Sequence, residues 1–314
     1  MTTTEGLLIA VRAVHFAATL ALFGDIVFAL QAPGHPRPQT DLLFRRTAIA
    51  AWVVAVASGA GWLLLDATLM SGRPLETGWD IAVLKTVVEG TLFGRAWTVR
   101  AVLALALAAL WLSARAGREP QHRFTGVLAA VLAGAFVVGL AWAGHANIES
   151  GADGAIHHFS DALHLLAAGA WLGGLAPLVA TMRRLGRLPT QDALDSASRL
   201  VQRFGTLAAA CVTVLLATGF VNARYTLRSP IALLDTPYGH LLLLKLILFS
   251  SMLAIAALNR ARLTPVLRAK DADVATRSAA ARRLQRNACA EQALGLAILV
   301  LVGALGVSPP PMAT

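Results

Sequence analysis

Eight uninterrupted apolar runs fix what this 314-residue chain can fold into. They lie near residues 7–31, 47–70, 97–115, 124–147, 157–182, 204–224, 239–260 and 288–308. A run of roughly 20 apolar residues crosses the hydrocarbon of a bilayer as a helix, the element that satisfies every backbone group within its own segment. The runs are continuous rather than alternating, which argues against a barrel. The expected fold is all-α: a polytopic transmembrane helical bundle of eight spans, with residues 1–314 as a single transmembrane domain and no soluble domain between spans. No internal repeat stands out by eye.

Composition fits a bilayer as solvent. Hydrophobic residues make up 57% and charged residues 14% of the chain, whereas soluble domains carry about 25% charged residues. Cys211 and Cys289 both fall within spans and read as small buried hydrophobes rather than a disulfide. Met1 to Gly6 lacks the basic start of a signal peptide. The first run carries Arg12, His15 and Asp25 and reads as a retained span.

The net charge of +10 raises nucleic acid as a partner. The distribution of the basic residues rejects it, because they sit in short loops, where they set topology. The loops after spans one, three and five hold Arg37, Arg45 and Arg46; Arg115, Arg118 and Arg123; and Arg183, Arg184, Arg187, Arg199 and Arg203. The stretch from Arg260 to Arg286 follows span seven. The loop after span four has no basic residue, and the one after span six has Arg224 and Arg228. Odd loops are therefore expected in the cytoplasm and both termini in the periplasm. In the outer segment 71–96, Ile81, Leu84, Val87, Val88 and Phe93 recur at near-helical spacing and predict a short amphipathic helix on the outer face.

Ionisable groups inside a membrane are costly, so each is a functional candidate. Six of the eight histidines fall in the outer half of the bundle. His15 lies in span one, His145 at the outer end of span four, His157 and His158 at the start of span five with His164 deeper, and His240 at the start of span seven. His35 and His122 fall in cytoplasmic loops and read as solvated. His157, Asp161 and His164 follow one another at i, i+4 and i+7, one stripe of a helix. Imidazoles converging from several helices suit a copper, zinc, iron or nickel ion. The expected ligands are His15, His145 and His164, with His157, His158 and His240 as outer capture residues. Asp161 is expected to orient a ligand histidine through its other nitrogen. Arg12, one turn from His15, is expected to be paired or bonded to a carbonyl. Lys245 is expected to snorkel outward, and Asp25 and Glu291 to mark the cytoplasmic halves of their spans.

The run His164-Leu-Leu-Ala-Ala-Gly-Ala-Trp171-Leu-Gly173-Gly174-Leu resembles the signature of the copper-resistance D (CopD) membrane proteins. His15, Gly144-His145-Ala146, Arg203-Phe204-Gly205, Thr218-Gly219, and Tyr238-Gly239 with Lys245 follow in the matching order. The resemblance implies a bacterial inner-membrane protein of copper homeostasis, associated with copper uptake and a small periplasmic CopC-type partner. It carries copper contact onto His15, His145 and His164. Methionine is scarce and absent from the histidine stripe, which suits Cu(II) or a mixed site better than a soft Cu(I) site. The alternative is a b-type haem protein with His15 opposed to His145 or His164. A third reading is an assembly factor that delivers copper without transporting it. No nucleotide-binding loop is present, and no enzymatic activity is expected.

Overall fold

The computed structural model describes residues 3–31, 38–72, 80–116, 122–143, 151–187, 190–227, 229 and 231–309; the side chains of 38–43, 115, 116, 122 and 123 are not part of that description. His35 and His145 lie outside the described residues. Eleven α-helices run in chain order among them. The first half comprises α1 (Thr3–Gln31), α2 (Pro38–Ser71), α3 (Ile81–Gly90), α4 (Leu92–Ala116) and α5 (His122–Val138). A 3₁₀ turn, Gly139–Ala143, continues α5. The second half comprises α6 (Gly151–Leu185), α7 (Gln191–Thr226), α8 (Ala232–Asp235), α9 (Pro237–Leu258), α10 (Thr264–Arg268) and α11 (Val274–Leu305). A π-helical segment, Asn259–Leu263, joins α9 to α10.

Eight of these stretches are long and apolar enough to cross a membrane, in agreement with the eight runs read from the sequence. The short helix expected in the outer segment is α3, whose start is capped by the Asp80 carboxylate accepting from the Ala82 N–H at 3.2 Å.

Several helices run further than the apolar runs that announce them. The helices α6, α7 and α11 contain 35, 36 and 32 residues, or about 50 Å at 1.5 Å per residue, against a hydrocarbon core of about 30 Å. Much of the basic stretch 260–286, expected as a loop, is thus helical. Local chemistry explains this. Asp273 caps α11 by accepting from the Thr276 N–H at 2.7 Å. Arg277 then ties three helices together, donating to Asp195 (2.6 Å), Gln191 (2.7 Å) and the Leu267 carbonyl (3.0 Å). A guanidinium with five donors in a fixed fork suits such a junction.

The centre of the bundle is α1, which packs on α2, α5, α6 and α11. Among the spans α6 is the most buried and α9 the least. The contact of α1 with α6 is made of backbone. A Cβ on Gly24 would overlap Gly173, and one on Gly173 would overlap the Leu20 carbonyl. Small residues allow this approach, and in a membrane, where burial in lipid gives little drive, such close packing holds helices together. Trp171, two residues before Gly173, is almost fully buried.

Candidate histidine site

The buried histidines stand in two separate polar clusters, one in each half of the chain. His15 is completely buried on α1. Its Nε2 lies 2.6 Å from an Nη of Arg100 on α4, and its Nδ1 lies 3.1 Å from the Ser58 hydroxyl on α2. A guanidinium has donors and no acceptor, so Nε2 accepts and the ring proton sits on Nδ1. Nδ1–H donates to Ser58 Oγ, which passes its own proton to the Val54 carbonyl at 2.6 Å. Both ring nitrogens are therefore in use. Arg100, itself fully buried, also donates to the Phe136 carbonyl and lies over the rings of Trp97 and Phe136 at 5.1 and 4.1 Å. These cation–π contacts replace part of the lost hydration.

The expected partner of Arg12 is aromatic. Its guanidinium lies 4.3 Å from the Trp62 ring, and the Trp62 indole donates to Asp66 at 2.7 Å. His15 packs against both Trp62 and Trp97, with ring centroids 5.5 and 5.2 Å apart.

The second cluster gathers around α6. The His164 Nδ1 donates to Thr218 Oγ1 on α7 at 2.9 Å. The Thr218 hydroxyl is committed to the Val214 carbonyl at 2.7 Å, so its oxygen is the acceptor and the ring proton is fixed on Nδ1. Nε2 is left with its lone pair and has no hydrogen-bond partner among the described residues. One turn toward the helix start, Asp161 accepts from the Asn222 amide at 3.3 Å. Lys245 on α9 stands within electrostatic reach of both Asp161 and His164.

His157, His158 and His240 each have partners of their own. His157 stacks on Tyr225 at 4.8 Å, and Tyr225 donates to Asp153 at 3.1 Å. His158 bonds the Gly154 carbonyl through Nδ1 at 2.8 Å and rests 5.2 Å from Trp142. The His240 Nε2 is bonded to the Leu234 carbonyl at 2.6 Å. The stripe of His157, Asp161 and His164 is thus found on one helix, while His15 belongs to the other cluster. Among the described residues no group of three or more His, Cys, Asp or Glu side chains is placed to hold a metal ion. The haem alternative finds no support here: His15 and His164 stand in separate clusters.

At the arginine-rich end of the bundle a cavity of about 510 Å³ opens between α6, α7, α9 and α11. Trp171, Phe204 and Leu175 form its apolar wall, with Arg260 and Arg268 near its rim and Glu291 and Asn259 on its side. Glu291 accepts from the Asn259 amide at 2.8 Å, and Asn259 accepts from Asn287 at 2.6 Å.

Sequence reasoning passed over Arg100 and Asp66. The signal was present, because both are charges inside apolar runs. The aromatic box of Trp62 and Trp97 carries no periodic signal and emerges only when α2 and α4 are brought together.

Comparison with known proteins follows the same division of the chain. Residues 1–155 match the family described as copper resistance protein D-like, N-terminal domain, and residues 198–305 match copper resistance protein D. The chain is 31% identical over 310 residues to inner membrane protein YebZ of Escherichia coli (strain K12), covering 96% of this chain and 98% of that one. It is 29% identical over 313 residues to copper resistance protein D of Pseudomonas syringae pv. tomato, covering 98% of each. It is 28% identical over 308 residues to copper transport protein CutJ of Bacillus subtilis (strain 168), covering 96% of this chain and 52% of that protein. No solved structure matches the chain. With eight membrane-crossing helices and full-length similarity to these relatives, the chain belongs to the copper resistance protein D family of multi-pass inner-membrane proteins.

Proposed function

We propose that this protein imports or delivers copper across the inner membrane as one transmembrane unit, without catalysing a reaction, and that His164 is the first deep contact for the ion. The observation that carries this reading is the state of the His164 ring. Its proton is held on Nδ1 by Thr218, which leaves the Nε2 lone pair free to meet a cation. A histidine whose second nitrogen is fixed by a hydrogen bond is how metal-ligating imidazoles are oriented. Asp161 on the same stripe supplies negative charge beside it.

In this reading both termini face the periplasm, as the arginine-rich odd loops favour. Copper arrives from the periplasm, handed over by a small CopC-type carrier, and passes His157, His158 and His240. His145 completes the contact from the adjoining segment. His15 contributes after Arg100 is displaced from its Nε2. Inward movement then uses the cavity at the arginine-rich end, with Glu291 and Asn259 on its side. A potential negative inside favours this direction by about 2.3 kcal/mol per charge per 100 mV. An oxygen- and nitrogen-rich path with few sulfur ligands fits Cu(II) or a mixed site.

The test is cellular copper, measured by elemental analysis, in cells expressing wild type or His164→Ala at equal membrane levels. Accumulation should fall to that of cells without the protein. Wild-type accumulation in a well-inserted His164→Ala protein would remove this residue from the path.

A further inference from the structure

The two polar clusters share an arrangement that the linear sequence hides. Arg12, His15 and Gly24 on α1 have the spacing of Asp161, His164 and Gly173 on α6. On the next span, Ser58, Gly59 and Trp62 of α2 have the spacing of Thr218, Gly219 and Asn222 of α7. On the third, Thr91, Gly94 and Arg100 have the spacing of Thr236, Gly239 and Lys245.

Contacts repeat along with spacing. Ser58 and Thr218 each bond the Nδ1 of their histidine, at 3.1 and 2.9 Å. Each hydroxyl also donates to the carbonyl four residues before it. Thr91 and Thr236 each accept from the glycine N–H three residues on, both at 2.9 Å, and donate to the carbonyl four residues back. Gly94 and Gly239 each press on the short helix that precedes them, α3 and α8, where a Cβ would overlap its backbone. The matching glycines Gly24 and Gly173 meet each other where α1 crosses α6. Two units of four spans, each an even number of crossings, share one orientation and are related by an axis along the membrane normal, as in parallel-repeat transporters.

The halves differ in charge beside the histidine, and Asp66 of the first half is matched by Thr226 in the second. Three residues before its histidine, the first half has Arg12 and the second has Asp161. The cation of the third span responds accordingly. Arg100 sits on His15 Nε2 at 2.6 Å. Lys245, facing a carboxylate, has no hydrogen bond to His164 among the described residues and lies within electrostatic reach of Asp161. Asp161 is in turn held by Asn222, just as Arg12 rests on Trp62 at the matching position.

We propose that the bundle is built of two equivalent four-span halves, each opposing a buried histidine with a side-chain cation, and that Lys245 is a movable gate on His164, drawn open by Asp161. The first half is the closed form of the same device, held shut by Arg100. An approaching cation would find Nε2 open while Asp161 holds the ammonium aside; this last consequence rests on the copper reading above.

The gate is tested without copper, so its outcome is separate from that of the uptake assay. Full-length protein in detergent is treated with diethyl pyrocarbonate, and adducts on His15 and His164 are counted by peptide mass spectrometry. In wild type, His164 should react at least tenfold faster than His15. Asp161→Asn should slow the His164 reaction about tenfold, because the freed ammonium closes on Nε2. The double variant Asp161→Asn/Lys245→Met should restore the wild-type rate. An unchanged or faster His164 reaction in Asp161→Asn, or no restoration in the double variant, would overturn the gate. Should Asp161→Asn fail to fold, Lys245→Arg at the same site replaces it: a fork reaching both groups should slow the reaction, and an unaltered rate counts against the gate.

Discussion

His15 and His164 are chemically the same side chain, carry their proton on the same nitrogen and donate it to hydroxyls at equivalent positions, yet their surroundings differ. Around His15 every direction is filled: Arg100 on one nitrogen, Ser58 on the other, and Trp62 and Trp97 against the ring. Around His164 one nitrogen is anchored and the other has no hydrogen-bond partner among the described residues. A buried polar group is costly unless fully satisfied. The His15 ring itself meets that requirement, although Arg12 Nε, Arg100 Nε and Trp97 Nε1 around it have no hydrogen-bond partner among the described residues. The His164 ring leaves it partly unmet, which is the condition under which a ligand gains by binding.

The comparison breaks most completely at the seam shared by the two halves. Gly173→Val should yield no folded, monodisperse protein in size-exclusion chromatography, since its side chain would meet the Leu20 carbonyl and backbone cannot move aside as a side chain can. Next in size is Arg100→Met, which strips the donor from His15 Nε2 and the Phe136 carbonyl. Loss of one partner from a buried charged network costs about 3–5 kcal/mol, readable as a lower thermal midpoint. The same variant should make His15 reactive to diethyl pyrocarbonate. If His15 stayed inert, crowding by the tryptophans rather than the guanidinium would be what closes that half.

Smaller effects compare the two hydroxyl anchors. Ser58→Ala leaves a buried N–H unpaired and should destabilise by about 1–3 kcal/mol. Thr218→Val, beside a less enclosed ring, should cost about 1 kcal/mol in stability and weaken copper binding in titration calorimetry. Equal stability losses would remove the distinction between a structural and a binding histidine. The smallest change is expected for Asn222→Ala, at under about 1 kcal/mol, with copper accumulation reduced a few fold. A complete loss of accumulation would move Asn222 into direct contact with the ion.

The bilayer made most of the fold legible. Long apolar runs have few alternatives in lipid, so eight membrane-length helices and the short helix α3 could be read directly. The helix ends beyond the apolar runs could not, because helix in 274–287 rests on capping by Asp273 and on the Arg277 junction rather than on hydrophobicity. At the site, the stripe of His157, Asp161 and His164 followed from helical spacing alone. The role of Arg100 did not, since nothing local says which histidine a buried guanidinium will meet. The duplication stayed hidden for a related reason. Loops of unequal length separate matching spans, so no single period relates the halves, and the shared residues are few and scattered. His145 lies outside the described residues, and its contact with the ion rests on the proposed function.

The backbone contact at Gly24 and Gly173 carries a consequence for traffic. Where two helices touch without intervening side chains, no water-sized gap remains along their line of contact, and that seam is watertight at this level. No passage runs between α1 and α6 there. The cavity at the arginine-rich end is bounded instead by α6, α7, α9 and α11. The two glycines thus act as a stopper in the middle of the molecule, and in the copper reading proposed above they leave the inward route to the second half.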